Sequence, residues 1–165
     1  MQNSLLKILK AQIEDEMSGL DELHVALNRR VTWLVEGKVA DPYLVEDIFA
    51  ALAMNIHAFY TGCERILLRL INNIDGGISR SAEWHQELLR QATLNIPGVR
   101  GPIIARQDIY EFLSELRGLR HIIRNVYTHQ LKRDNLLSLA KLAMNFHPRF
   151  KQEIIRFMNS LEIDT

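Results

Sequence analysis

The sequence predicts an all-α protein, an up-and-down bundle of four to five helices, on three observations. Apolar residues recur at steps of three and four along almost the whole chain, the period of a helix with one buried face. No stretch alternates polar and apolar residues as a half-buried strand does. Most of the glycines and prolines, among them Gly37, Gly76-Gly77, Pro97-Gly98 and Gly101-Pro102, fall between the periodic stretches, as punctuation between helices.

The elements follow in order. Asn3 or Ser4 is placed to cap a first helix that carries Leu5, Leu9, Ile13, Met17, Leu20, Leu23, Leu27, Val31 and Leu34. Gly37 ends it, and Gly19 is a place where it can break. Asp41 caps a second helix with Pro42 in its first position, where a missing N–H costs nothing. That helix runs through Ile48, Leu52, Met54, Ile56, Phe59, Ile66, Leu67, Leu70 and Ile74 to near Gly76-Gly77. Ser81 opens a shorter third helix through Trp84, His85, Leu88, Leu89 and Leu94. Asn95-Ile-Pro97-Gly98 and Gly101-Pro102 mark a loop. A fourth helix starts near Ala105 and carries Ile109, Phe112, Leu113, Leu116 and Leu119. Lys132-Arg133-Asp134-Asn135 reads as a turn, and a last helix spans Leu136 to about Leu161 with Pro148 able to kink or divide it.

At 165 residues, 47% of them hydrophobic, the chain is expected to form one domain, residues 1–165, with a conventional core. Twenty basic and twenty acidic side chains cancel, so no global field draws the protein to nucleic acid. The distribution is uneven: residues 1–50 hold 5 basic and 9 acidic groups, whereas residues 100–133 hold 7 and 3. Cys63 is the single cysteine, which leaves no intramolecular disulfide and no cysteine-based zinc site. His24, His57 and His147 have no acids or cysteines at ligand spacing, so no metal and no other cofactor is expected. No leader and no membrane-spanning run is apparent, and a cytoplasmic location with no membrane partner is expected.

The polar chemistry concentrates in Arg117-Gly-Leu-Arg120-His121-Ile-Ile-Arg124-Asn125-Val-Tyr127-Thr-His129. Leu119, Ile122, Ile123 and Val126 keep the period of a buried stripe, so the segment is expected to be helical. His121, Asn125 and His129 then share a face, and Arg117, Arg120, Arg124 and Tyr127 form a neighbouring ridge. Such a ridge beside a His-Asn-His row suits gripping a phosphodiester and moving a proton beside it. The plainer roles are packing, helix capping by His129, and an ion pair from Glu64 on an opposing helix to Arg120 or Arg124.

Arg124-Asn125-Val126-Tyr127-Thr128-His129 resembles the signature of HEPN-domain ribonucleases: an arginine, a polar residue, three more residues and a histidine. The wider run from Arg120 to Tyr127 is similar to the HepT-like toxin branch, and Tyr60-Thr-Gly-Cys-Glu64-Arg65-Ile66 and Trp84-His85-x-x-Leu88-Leu89 extend the likeness over roughly residues 43 to 140. The resemblance implies metal-independent RNA cleavage by the toxin of a toxin–antitoxin pair, type II-like or type VII-like, with transfer RNA as a target class. It makes Arg124, Asn125 and His129 the catalytic candidates and Arg120, His121 and Arg117 the candidate RNA contacts. It also implies a homodimer, because Arg124 and His129 point about 140° apart on a straight helix at ~100° per residue. A two-fold interface brings the arginine of one chain to the histidine of the other.

The implied restraining partner is a nucleotidyltransferase antitoxin of the minimal (MNT) type. In many HepT-like toxins such a partner modifies a tyrosine two residues after the signature histidine with AMP. Leu131 holds that position here, which leaves Tyr127 as the candidate modification site or masking of the site as the mode of restraint. The alternative reading is a non-catalytic helical partner of a minimal nucleotidyltransferase.

Overall fold

The computed structural model describes residues 2–78, 82–125 and 132–163, with side chains over 4–78, 82–118 and 132–161. It holds five helices: α1 (Gln2–Val35), α2 (Pro42–Ile74), α3 (Trp84–Ala92), α4 (Gln107–Asn125) and α5 (Arg133–Ile163). The all-α bundle is therefore present, with no strand among the described residues.

α2 is the axis of the bundle and packs against every other helix. Its sequence explains this, because Ile48, Leu52, Ile56, Phe59, Cys63, Ile66, Leu67, Leu70 and Ile71 leave buried side chains on more than one face. The four long helices alternate in direction. Glu16 of α1 meets Arg69 of α2, and Leu20 meets Gly62, where an added Cβ would come within 2.6 Å of Leu20 Cδ2. Phe146 of α5 packs against Phe59 of α2 and Phe112 of α4. The short α3 departs from the alternation: His85 lies beside Glu64 and Gln91 beside Asp75, so α3 runs in the same direction as α2.

Several helix ends differ from the sequence expectation. Asp41 caps α2 as expected, its Oδ1 accepting from Tyr43 N at 2.9 Å. Asn3 and Ser4 lie inside α1, which already runs from Gln2, so neither is its cap. Ser81 lies outside the described residues; α3 begins at Trp84, with no side-chain cap from Glu83. α4 starts at Gln107, two residues later than expected. The turn at 132–135 is the first turn of α5 instead: Leu136 N donates to Lys132 O, and Asp134 sits where the helix N-terminus favours a carboxylate. Pro148 divides nothing, and α5 continues through it.

α1 also continues unbroken through Gly19, where an added Cβ meets nothing within 4 Å. Gly19→Ala is therefore expected to stabilise the protein by roughly 0.5–1 kcal/mol, the helix-propensity difference. Urea unfolding of the two proteins checks it, and a lower midpoint for the variant contradicts it. Gly37, by contrast, ends α1 with φ +62°, a conformation in which a side chain is strained.

No helix of the described residues is long and apolar enough to cross a membrane.

Candidate functional site

α4 is helical through Asn125, so its backbone carries Arg117, Arg120 and Arg124 at successive steps of three and four, and His121 and Asn125 one turn apart. Arg117 Nη1 donates to Gln86 Oε1 of α3 at 3.1 Å. That contact fixes the start of α3 against the first arginine of the ridge. The side chains of Arg120, His121, Arg124 and Asn125 lie outside the described residues, and so do Tyr127, His129 and Leu131 entirely.

Beside this ridge stands a pair that sequence reasoning placed only in part. Glu64 of α2 is 4% exposed, and its Oε1 is hydrogen-bonded to Nδ1 of His85. The Trp84 ring leans on the His85 ring, centroids 3.5 Å apart at 32°, while Trp84 also packs on the core. A buried carboxylate costs several kcal/mol unless it is paired, so Glu64 on an apolar helix face announced a partner. The partner described here is His85, 21 residues away, which no helical spacing relates to it. Beside them Cys63 is buried, and burial first, then the Glu64 charge, pushes its thiol up and leaves it unreactive.

A second buried cluster anchors α4 from its far end. The Arg100 side chain is fully buried and grips Asp75 with both edges of its fork, Nε to Oδ1 at 2.7 Å and Nη2 to Oδ2 at 2.6 Å. Its remaining N–H groups donate to the carbonyls of Leu94, Gly101 and Gln91 at 3.0 Å each. Burial pushes the Asp75 carboxyl up, but the hydrogen bonds from Arg100 and Gln91 and the guanidinium charge outweigh it and hold it below the usual range. Glu153 of α5 completes the anchor by accepting from Ala105 N at 2.7 Å, and Arg156 donates to the carbonyls of Pro102 and Ile103.

The excess of basic residues over 100–133 is consequently smaller than the sequence count suggested. Arg100 is neutralised inside the protein by Asp75, and Arg133 pairs with Glu46 at 3.7 Å, both acids lying outside that segment. Ion pairs made across the fold do not show in a linear count of charge.

Away from α3 and α4, His24 and His147 stack between α1 and α5, ring centroids 4.6 Å apart, with His147 Nε2 3.0 Å from Asp21 Oδ1 and Lys151 on the same carboxylate. The His147 imidazole is held below its usual 6.5 by burial first and by His24, with Asp21 pulling the other way and Lys151 adding to the fall. The unfolded chain therefore takes up this proton at a higher pH than the folded one. Stability is expected to be full above about 6.5 and to decline as pH falls from there through the lower folded value. His147→Phe should flatten Tm against pH between about 5 and 7. An unchanged slope in the variant contradicts the assignment. Among the described residues no group of three His, Cys, Asp or Glu side chains is placed to hold a metal ion.

No curated protein and no solved structure matches the chain. The sequence model of a family described as "HepT-like protein" matches residues 51–161, about two thirds of the chain. The match takes in the Glu64–His85 pair, the Asp75–Arg100 anchor and the whole polar segment 117–129. The chain belongs to the HepT-like family.

Proposed function

We propose that the protein is a metal-independent RNA endonuclease, the toxin of a pair with a nucleotidyltransferase antitoxin, whose active site forms where two copies of α4 meet. The observation that carries this reading is the register of α4. A helix that keeps Arg117, Arg120 and Arg124 on one ridge and His121 with Asn125 on the next lies within the region that matches a family associated with ribonuclease toxins.

The residues suit the reaction. A guanidinium presents planar paired donors to the non-bridging oxygens of a phosphodiester and stabilises the charge that grows there, the role of Arg124. An imidazole titrates near neutrality and transfers protons, the role of His129. Asn125 orients one or the other, and Arg120, His121 and Arg117 hold neighbouring parts of the RNA backbone. Arg124 and His129 diverge on a straight helix, so the site needs the second copy. Tyr127 is the residue on which antitoxin modification would act, Leu131 having no hydroxyl.

The test is cleavage of total cellular RNA by the purified protein and by His129→Ala, in EDTA. Chelator-resistant cleavage by the wild type, reduced by roughly 10²-fold or more in the variant, is the expected result. A folded dimer that cleaves nothing would overturn the nuclease reading and leave the non-catalytic partner role in its place.

A further inference from the structure

α1 is held on two sides by different means. Against α2 it packs closely, Leu20 over Gly62, with Glu16 paired to both Arg65 and Arg69. Against α5 the seam is looser. A groove of about 320 Å³ runs along it, lined by Ile13, Met17, Ile154 and Met158, with Asp21 and Lys151 also on its wall. Apolar groups that border an unfilled groove forgo packing contacts, so this seam depends more on its polar groups than the α2 side does. Those groups are Asp21, Lys151 and the imidazoles of His24 and His147, which lie face to face with centroids 4.6 Å apart and planes 10° from parallel.

Two neutral imidazoles stack without electrostatic cost, whereas two imidazolium ions at this distance repel, the more so where little water comes between them. The surrounding groups set the balance. From α1, Asp21 places Oδ1 3.0 Å from His147 Nε2. From α5, Lys151 places Nζ 2.7 Å from the other oxygen of the same carboxylate. From α2, Phe59 brings an uncharged ring 6.0 Å from that of His147. Lys10 and Glu14 of α1 stand further along the groove, and Arg149 of α5 is paired with Asp108 of α4 at 2.8 Å. With both rings protonated, three cations share the carboxylate of Asp21, and His147, 5% exposed, reaches little water. We propose that the His24–His147 stack is a proton-operated latch that closes α1 on α5 and releases it on acidification. The latch goes beyond the nuclease reading and does not depend on it. While the seam is closed the pair holds one proton fewer than when it is parted, because the parted rings are both hydrated.

The sign follows from His147, which is held below its usual 6.5 in the closed seam: closure is at full strength above about 6.5 and weakens as pH falls from there. A slope of Tm against pH shows that unfolding takes up a proton, but only a helix-by-helix measurement shows where the chain parts. The experiment is amide hydrogen exchange of the full chain, read by mass spectrometry at about pH 7.5 and about pH 5.5 and corrected for the intrinsic exchange rate. Protection in the turns of α1 and α5 that face the seam is expected to fall at least threefold more than protection in α3 and α4. The limit is about tenfold for one imidazole kept neutral one pH unit below its usual value. His147→Phe, which keeps a flat ring and removes the proton site, should abolish this selective fall. Lys151→Met leaves Asp21 free to hold an imidazolium and should shrink it. Asp21→Asn removes the carboxylate beside the stack and should enlarge it.

Protection that falls equally in all five helices, or no further at the seam than in α3 and α4, overturns the latch, since the proton then acts on unfolding of the whole chain. A selective fall that persists in His147→Phe overturns the assignment to the stack. Should His147→Phe not fold, the other two variants decide: opposite changes support the latch, and no change or changes of one sign overturn it.

Discussion

Arg100→Ala is expected to cost about 3–5 kcal/mol of stability, the range for breaking a buried ion pair from one side. The variant leaves the Asp75 carboxylate, 4% exposed, without the guanidinium that neutralises it. It also leaves the carbonyls of Leu94, Gly101 and Gln91 short of a donor. For a chain of this length such a loss lowers Tm by roughly 10 °C or more. Replacing both partners at once, Arg100→Met with Asp75→Leu, should recover much of it, because an apolar pair has no charge to desolvate.

The pH dependence carries a sign that can be checked. The folded carboxyl of Asp75 lies below its unfolded value near 3.8, so the pair contributes its full stability above that pH and loses it as pH falls through the lower folded value. Urea unfolding at neutral and acid pH measures both quantities. A single variant within about 1 kcal/mol of wild type would show that the pair is not the anchor described. The consequence reaches function, because this cluster fixes the loop from which α4 departs.

Arg124→Ala is expected to abolish growth arrest when the protein is expressed without a partner, and to lower RNA cleavage by roughly 10²–10³-fold, the usual effect of removing one donor to a developing oxyanion. Alanine is the best helix former, so the α4 backbone at this position gains nothing by unfolding. Thermal unfolding should therefore change little, and the loss is one of chemistry. A folded Arg124→Ala protein that arrests growth as wild type does would refute the site. Harmless expression of the wild type itself would favour the non-catalytic partner of a nucleotidyltransferase.

The fold was legible because its signals are local. Helical period needs only neighbours three and four apart, and Asp41 with Pro42 and Gly37 mark ends through their own backbone preferences. The misplaced ends have the same origin. Asn3 and Ser4 are good caps in isolation, but the apolar stripe of α1 already favours helix around them. Arg133-Asp134-Asn135 has turn composition, yet Asp134 serves equally well in a first helical turn. Pro148 forfeits one hydrogen bond, which the packing of Phe146 and Phe150 on either side of it outweighs.

The candidate site divides along the same line. By itself the sequence determined the all-α class and the helical spacing of Arg117, Arg120 and Arg124, because each depends on period within one segment. Only the tertiary structure decided that α2 is the axis of the bundle, that α3 runs in the same direction as α2, that Glu64 meets His85, that Arg117 meets Gln86, and that Arg100 is spent on Asp75 inside the protein. Those pairings join residues 21 to 31 positions apart, in separate helices or in the loops between them. No helical period carries such information. It is set by the desolvation cost of buried charge, which forces each buried acid and base to find whatever partner the packing brings within reach.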